Sequence, residues 1–288
     1  MDSNLFKYQA FVKAVEYGSF TKAGSVLHYS QSGISRMIGD LENEWGLTLL
    51  ERGRGGVRLT SDGEKLLPYA RNLCADYEKL QMQADDLRGV RSGTIRIGTF
   101  SSVATHWFPK IFKVFKADYP GIDFELLLGD YAEIETWILE GRVDCGFLSL
   151  PVNPEFETVT MAEDPLLAVL PVGHPLAALD AVPLEELCRE PFMLVEKSGR
   201  ADISELLKKN GVTPNVQFTA WDDYAVMSMV ENGFGVSILP GLILKRLSYN
   251  IAVRPLDVEA SRTIVFVLRS KEAASAAVKK FMDYLDLI

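Results

Sequence analysis

Polar and basic side chains cluster on one face of a short helix predicted near the N-terminus. Ile34, Ile38 and Leu41 recur at helical spacing and therefore share one buried face. The opposite face carries Gln31, Ser32, Ser35, Arg36 and Gly39. A glutamine can pair with adenine through two hydrogen bonds and an arginine with guanine, while serine hydroxyls suit phosphates and base edges. These residue types at this spacing predict a helix that reads base edges in a DNA major groove.

A second group of basic residues lies on a predicted glycine-rich hairpin. Short strands are predicted over residues 47–52 and 57–60, on either side of Gly53-Arg54-Gly55-Gly56. The glycines suit a tight hairpin turn because they tolerate positive φ angles. The arginines of this hairpin are Arg52, Arg54 and Arg58. Alone, such a cluster is typical of a solvated hairpin tip. Beside the polar helix face, it predicts contacts to phosphates or to the minor groove.

The elements that precede the polar helix must hold it in place. Apolar residues at three-and-four spacing predict a first helix that ends at Gly18, and Ser19 and Thr21 precede a second, shorter helix. Ser30 caps the third helix after a three-residue break. Two short helices joined by a tight turn and followed by a hairpin predict a winged helix-turn-helix DNA-binding domain over residues 1–60.

A long helix follows this domain. The spacing Ser61-Asp62-Gly63-Glu64 is that of a capping box, which would open the helix. Its apolar positions step by four and three residues: Leu66, Ala70, Leu73, Tyr77, Leu80, Ala84 and Leu87. Because heptad spacing is typical of packing against another helix, we predict that residues 61–88 form a linker that joins two copies of the chain as a homodimer. The alternative is a helix that packs only on its own domain.

Strand and helix patterns alternate after a predicted hinge over residues 89–93. The first three strands and the two helices between them form a βαβαβ unit, which implies a parallel sheet: 94–99, 107–119, 124–128, 132–141 and 143–148. A second set of strands begins at 166–172, and the strand at 263–268 with the final helix from Lys271 would return to the first set. We predict a two-lobed α/β effector-binding domain over residues 94–288, with lobe I over 94–163 and 267–288 and lobe II over 164–266.

Residues in the loops at the predicted strand ends mark a ligand cleft between the lobes. They are Thr99, Ser101, Ser102, Leu148, Ser149, Ser198, Gly199, Arg200, Trp221 and Asp222. Backbone N–H groups and hydroxyls at Ser101 and Ser102 would bind a small carboxylate. Arg200 would supply its counter-charge, and Trp221 would stack on an aromatic ring. The alternative is that Ser102 and Asp222 only cap helices, while Arg200 and Trp221 lie on the surface.

Charge and hydropathy narrow the class of protein. The net charge of −9 lies entirely in residues 93–288, since residues 1–92 hold 12 basic and 12 acidic side chains. The overall acidity therefore does not argue against a local DNA-binding patch. The longest apolar stretches fall short of the roughly 18 residues of a spanning helix, and the N-terminus has no signal-peptide core. We expect a cytoplasmic protein with no membrane partner.

Cysteines, histidines and catalytic motifs indicate neither a metal site nor an enzyme. Cys74, Cys145 and Cys188 are far apart, and no two histidines stand at metal-ligand spacing. The chain has no GxxxxGK[ST], HExxH, GxSxG or CxxC motif. We therefore expect no catalytic residue, no metal and no cofactor. An enzyme and a solute-binding transport protein are the alternatives, but neither requires a polar helix face beside an arginine hairpin.

Three residue patterns in the N-terminal part of the chain have a specific spacing. They are Ala23-x-x-x-Leu27-His28-x-Ser30-Gln31-Ser32-x-Ile34-Ser35-x-x-Ile38-x-x-Leu41-Glu42, Gly46-x-x-Leu49-Leu50-x-Arg52 and Leu59-Thr60-x-x-Gly63. Together they resemble the signature of LysR-type transcriptional regulators. Later patterns are similar to landmarks of that family's effector domain: Pro120-Gly121-Ile122, Gly141-Arg142-Val143-Asp144, Pro171-x-x-His174-Pro175 and Gly233-x-Gly235-Val236-x-Ile238-Leu239-Pro240. Ser32, Gly33 and Leu50 depart from the family pattern, in which proline, alanine and phenylalanine are common.

The resemblance implies a bacterial cytoplasmic regulator that binds a dyad-symmetric promoter site as a homotetramer, a dimer of dimers. It implies that Gln31, Ser35 and Arg36 read bases and that Thr21 and Ser30 anchor phosphates. Arg52, Arg54 and Arg58 would belong to the wing. A small-molecule effector would bind between two lobes similar to those of type 2 periplasmic binding proteins, and it would modulate DNA binding or bending. RNA polymerase is a further candidate partner.

Overall fold

The computed structural model describes residues 4–53, 56–87, 93–195, 202–246 and 248–287. The chain divides into two compact units. Met1–Ser92 and Trp137–Val143 form the first, and Gly93–Thr136 and Asp144–Ile288 form the second. Within the described ranges, no helix combines the length and apolar character needed to cross a membrane. The predicted hinge lies almost wholly outside these ranges, since the description resumes at Gly93.

The first unit opens with three helices, α1 (Asn4–Tyr17), α2 (Phe20–Leu27) and α3 (Gln31–Trp45). Serines start the second and third of them. The Ser19 hydroxyl accepts a hydrogen bond from the Lys22 amide at 3.3 Å, and the Ser30 hydroxyl accepts one from the Gly33 amide at 3.1 Å. Each serine therefore satisfies an N–H that the helix itself leaves unpaired.

A short hairpin packs beside these helices. It consists of β1 (Leu50–Gly53) and β2 (Gly56–Leu59), which pair antiparallel. The Val57 amide donates to the Gly18 carbonyl at 3.1 Å, so the hairpin is fixed to the turn between α1 and α2. Gly56 has φ +104°, and a Cβ there would stand 2.7 Å from the Gly18 carbonyl oxygen. Only glycine suits this close approach. The prediction of a winged helix-turn-helix is confirmed.

The core of the first unit explains how α3 is held. It contains fully buried side chains from all three helices: Phe11, Ala23, Ile34, Ile38 and Leu41. On the flank of this core, the Glu42 carboxylate accepts hydrogen bonds from the amides of Leu49 and Leu50, at 2.7 and 3.1 Å. Because these amides lead into β1, Glu42 ties the third helix directly to the hairpin.

The long helix α4 (Ser61–Leu87) is capped one residue earlier than predicted. The Thr60 hydroxyl accepts a hydrogen bond from the Gly63 amide at 3.0 Å and donates one to the Thr48 carbonyl at 2.6 Å. Thr60 thus takes the capping position expected of Ser61, since its hydroxyl bridges the helix to the chain before β1. The third helical residue is then Gly63, which has no side chain to complete a capping box.

The second unit is built on one large sheet and one small sheet. Its strands are β3 (Gly93–Thr99), β4 (Ile122–Leu128), β5 (Cys145–Ser149), β6 (Glu157–Pro171), β7 (Phe192–Val195), β8 (Val216–Ala220), β9 (Ser237–Pro240), β10 (Ile251–Arg254) and β11 (Ser261–Leu268). The helices after α4 are α5 (Ser101–His106), α6 (Phe108–Asp118), α7 (Tyr131–Leu139), α8 (Leu184–Arg189), α9 (Asp202–Lys209), α10 (Asp223–Glu231) and α11 (Ala276–Met282). Short 3-10 helices span Pro175–Ala178, Ile243–Arg246 and Leu285–Leu287.

The large sheet has the order β10-β6-β11-β5-β3-β4, and β9 also pairs with β6. β3 is parallel to both β4 and β5, which confirms the predicted βαβαβ unit. β11 pairs antiparallel with β5, so the chain returns to the first set of strands as expected. β7 and β8 form the small parallel sheet. The α/β fold class is thus confirmed, although the large sheet is mixed rather than wholly parallel.

Three elements of the second unit differ clearly from the prediction. β6 begins at Glu157 instead of 166, because residues 157–164 pair with β11 while carrying too few apolar side chains to show a strand pattern. β10 is absent from the prediction, since four half-buried residues give no clear periodicity. The final helix begins at Ala276 rather than Lys271, because the Ser275 hydroxyl caps it by accepting from the Val278 amide at 3.2 Å.

Candidate functional sites

The structure brings several of the predicted DNA-contacting residues to one groove in the first unit. The groove has a volume of about 430 Å³ and lies where the start of α2, the start of α3 and the strand β2 meet. Its walls include Thr21, Gln31 and Ser35 together with Gly56 and Val57. The base-reading and phosphate-anchoring candidates of α2 and α3 therefore share a concave surface with the hairpin.

The other predicted DNA-contacting residues differ in their exposure and in their hydrogen bonds. Arg36 on α3 and Arg58 on β2 are exposed. Ser30 is engaged in capping, and its hydroxyl lies 3.0 Å from that of Ser32, which is also exposed. Arg54 and the side chain of Arg52 lie outside the described residues. The described part of the surface thus presents a guanidinium from the third helix and another from the hairpin.

A cavity of about 280 Å³ lies in the second unit, beside the ends of β3 and β4. Its walls are Phe100, Ser101, Ser102, Leu128, Gly129, Asp130, Tyr131, Val195, Asp202, Ile203, Trp221, Asp223, Pro240 and Arg262. Three of the predicted cleft residues belong to this wall, namely Ser101, Ser102 and Trp221. The Trp221 ring is 73% exposed, so it is open to solvent at the cavity.

The other predicted cleft residues lie elsewhere. Thr99 and Leu148 are fully buried within their strands and do not belong to the cavity wall. Ser149 is buried too, and its hydroxyl donates to Asp202 at 2.7 Å. Asp222 caps α10 by accepting from the Ala225 amide at 2.8 Å, which is the capping role weighed as its alternative. Ser198, Gly199 and Arg200 lie outside the described residues.

The cavity wall also contains a buried arginine, Arg262, which local sequence patterns did not predict. The Nε and Nη2 atoms of Arg262 donate to one Asp164 oxygen at 2.9 and 2.7 Å. Nη1 donates to the Tyr131 hydroxyl and Nη2 to the Ser102 hydroxyl, each at 3.0 Å. The side chains of Arg262 and Asp164 are only 6% and 5% exposed. The guanidinium is therefore fixed by partners on β6, α7 and α5.

The charges around Arg262 keep it ionised. Burial opposes its positive charge, but Tyr131 and the carboxylates of Asp164 and Asp202 outweigh this effect and raise the pKa of the guanidinium. Its planar group also lies 5.0 Å from the centre of the Phe100 ring, which adds a cation–π contact. Burial likewise raises the pKa of the Tyr131 hydroxyl, so this group stays a hydrogen-bond donor at neutral pH.

A further carboxyl group lines the same cavity. Burial raises the pKa of Asp223 to about 6, with Asp222 adding to the shift and Arg262 opposing it. Asp223 is consequently ionised at neutral pH but takes up a proton in mildly acidic solution. A group that lines a cavity with such a pKa can accept a hydrogen bond from an N–H or O–H of a ligand.

Sequence patterns could not have predicted this site. Arg262 stands 98 positions from Asp164 and 160 from Ser102, so only the fold brings them together. The available signal was an arginine between Ser261 and Thr263, at the start of a strand whose remaining residues are apolar. Within the described ranges, no group of three or more histidine, cysteine, aspartate or glutamate side chains could hold a metal ion.

Comparison with known families assigns both parts of the chain. Residues 5–64 match the model of the bacterial regulatory helix-turn-helix proteins of the lysR family. Residues 88–286 match the model of the LysR substrate binding domain. Together the two matches cover nearly the whole chain.

Individual relatives align over nearly their full length. The chain is 31% identical to the HTH-type transcriptional regulator YvbU of Bacillus subtilis over 278 residues, which is 96% of this chain and 95% of the relative. It is 30% identical to the probable HTH-type transcriptional regulator LrrA of Synechococcus elongatus, over 98% and 96% of the two chains. The crystal structure of full-length CbnR with its target DNA matches in fold, with a TM-score of 0.71, 22% identity and coverage of 98% and 99%.

Proposed function

Because the chain belongs to the LysR family of transcriptional regulators, we propose that it binds a promoter site with dyad symmetry and that a small effector changes this binding. It is a DNA-binding regulator with an effector-binding domain, and it is not an enzyme. One observation carries the DNA-binding part of the proposal. The exposed polar face of α3 opens into a groove that it shares with the hairpin.

In this proposal, each predicted DNA-contacting side chain has a role that follows from its chemistry. Gln31, Ser35 and Arg36 read base edges from α3, because they occupy its outward face. Phosphates are contacted by Thr21, Ser30 and Ser32, and the wing arginines Arg52, Arg54 and Arg58 extend the contact to the neighbouring backbone. Glu42 supports the reading indirectly, since it holds the hairpin against α3.

Replacing Arg36 with alanine should remove sequence preference without unfolding the protein. Arg36 is exposed, and one lost arginine–guanine pair is worth roughly 10- to 100-fold in affinity. Genomic fragments bound by the purified protein at moderate salt would be recovered and sequenced. We expect the wild type to enrich promoter-proximal sites with dyad symmetry and Arg36→Ala to enrich few or none.

The control for this experiment is Arg189→Ala. Arg189 is also an exposed arginine, on α8 and far along the chain from the groove, and its ion pair with Glu185 lies at the surface. It should enrich the same fragments as the wild type. If Arg36→Ala recovers the wild-type sites with undiminished affinity, α3 is not the reading helix.

Dimerisation through α4 is part of the proposal. The first turns of this helix pack on its own unit, where Leu67, Ala70 and Cys74 are buried. Further along, Leu73 and Leu80 are 46% and 63% exposed although they belong to the heptad pattern. This apolar surface supports a homodimer formed by α4, and family membership supports a tetramer built as a dimer of dimers.

We propose a small carboxylate as the effector, bound in the cavity of the second unit. Ser101 and Ser102 begin α5 at the cavity wall, and the side chain of the N-cap residue Phe100 does not cap the start of this helix. Trp221 offers a flat ring to an aromatic or planar group. Because Asp223 lines the same wall, amino and hydroxy acids suit the cavity better than acids without a donor group.

Effector binding should be visible in the fluorescence of Trp221. A panel of benzoate-like and amino-acid-like acids would be titrated into the protein, with Trp221→Phe as the control that loses the signal while calorimetry still reports binding. A panel without any response would reject a carboxylate effector. Acids that bind would then be added to the protein on its DNA. Closure of the lobes is proposed to act through residues 89–93 and alter the spacing of paired DNA-binding domains, so the footprint should change in length or bend.

A further inference from the structure

The side chain of Asp202 places a carboxylate at the wall of the cavity in the second unit. Asp202 is the first residue of α9, and its side chain is 14% exposed at the cavity wall. One of its oxygens accepts from the Tyr131 hydroxyl at 2.7 Å, and the other accepts from the Ser149 hydroxyl at 2.7 Å. Arg262 lies 3.6 Å away as the counter-charge.

These three partners come from different elements than Asp202. Tyr131 begins α7, Ser149 ends β5 and Arg262 lies in β11, whereas Asp202 begins α9. Two hydroxyl donors, one for each oxygen, together with a guanidinium, are the groups that a protein uses to bind a free carboxylate. All three are buried or nearly so, and each is held by its own strand or helix.

We propose that Tyr131, Ser149 and Arg262 form a carboxylate-binding site that the side chain of Asp202 fills, and that a small carboxylate binds there once Asp202 is removed. Arg262 is then already engaged, because four of its five N–H groups donate to Asp164, Ser102 and Tyr131, and its charge faces Asp202 at 3.6 Å. The role of this site in regulation rests on the proposed function, in which the effector is a small carboxylate. Such an effector either binds at Ser101 and leaves Asp202 in place, or displaces Asp202 and frees the start of α9.

Chemical rescue tests the site without knowledge of the effector. The variant Asp202→Ala removes the carboxylate and leaves its three partners in place. Acetate and formate, added at about ten times their dissociation constant, should raise the Tm of this variant by about 3 °C relative to equal chloride. At the same acetate concentration the wild type should show a smaller shift than the variant, since Asp202 fills this site. A further change of Tyr131→Phe in the variant should abolish the rescue.

The controls separate a specific site from a general salt effect. Asp180→Ala, at an exposed aspartate, should gain nothing from acetate. If Asp202→Ala folds poorly, refolding yield with acetate against chloride takes the place of the Tm. Equal Tm or yield in acetate and chloride overturns the proposal, and so does an equal gain in the Asp180 control. DNA binding by Asp202→Ala, measured on fragments bound by the wild type, reports separately on the proposed function.

Discussion

Replacing Arg262 with methionine should lower the free energy of unfolding by about 3–5 kcal/mol. Methionine fills similar space but leaves the Asp164 carboxylate buried without its main charged partner. The hydroxyls of Ser102 and Tyr131 lose the same donor. Urea unfolding at neutral pH, followed by circular dichroism, would measure the loss. We expect this to be the largest effect of any single polar substitution in the second unit.

A second substitution checks the cause of that loss. In the double variant Arg262→Met with Asp164→Asn, the buried charge is gone, while an amide oxygen can still accept from the Leu242 amide as Asp164 does at 2.7 Å. The double variant should therefore be more stable than Arg262→Met alone. Arg189→Met, at an exposed ion pair, should change stability by well under about 1 kcal/mol. A loss of that small size for Arg262→Met would show that the buried network contributes little.

Introducing a charge at Leu80 should dissociate the proposed dimer. Leu80 is 63% exposed in the middle of the heptad surface of α4, so Leu80→Lys leaves the first unit folded but places two lysines in the paired seam. Sedimentation equilibrium should show a smaller oligomer. Affinity for a two-fold symmetric site should fall by about 100-fold, because two linked DNA-binding domains bind together far more tightly than one.

The neighbouring residue provides the matched control for this experiment. Gln81 is exposed and lies outside the heptad positions, so Gln81→Lys adds the same charge to the same helix without entering the seam. It should retain the wild-type oligomer and DNA affinity. If Leu80→Lys and Gln81→Lys behave alike, the contact between chains does not run along Leu73 and Leu80.

Local signals in the sequence predicted the first unit well. Helix starts depend on a single side chain and an amide a few residues away, as at Ser19 and Ser30, and such pairs can be identified by spacing. The same kind of signal failed where a longer contact intervened. Thr60 caps α4 in place of Ser61 because its hydroxyl also bonds to Thr48, twelve positions earlier.

Local signals predicted the cavity of the second unit only in part. Ser101, Ser102 and Trp221 were selected because they follow strands or precede helices, and they do line the cavity. Arg262 and Asp202 were not selected, because their partners lie between 53 and 160 positions away. Pairing of this kind depends on the order of strands in the sheet, and spacing along the chain carries no information about it.

The long strand β6 limits the movements that the second unit can make. Its first half pairs with β11, and its second half pairs with β9 and β10, so one continuous strand joins the two parts of the large sheet that the sequence assigns to separate lobes. A hinge in an irregular loop can swing through a large angle, whereas a continuous strand moves mainly by a change of twist. We therefore expect an effector bound in the proposed cavity to change the shape of the unit by a small rotation about β6 rather than by a wide opening.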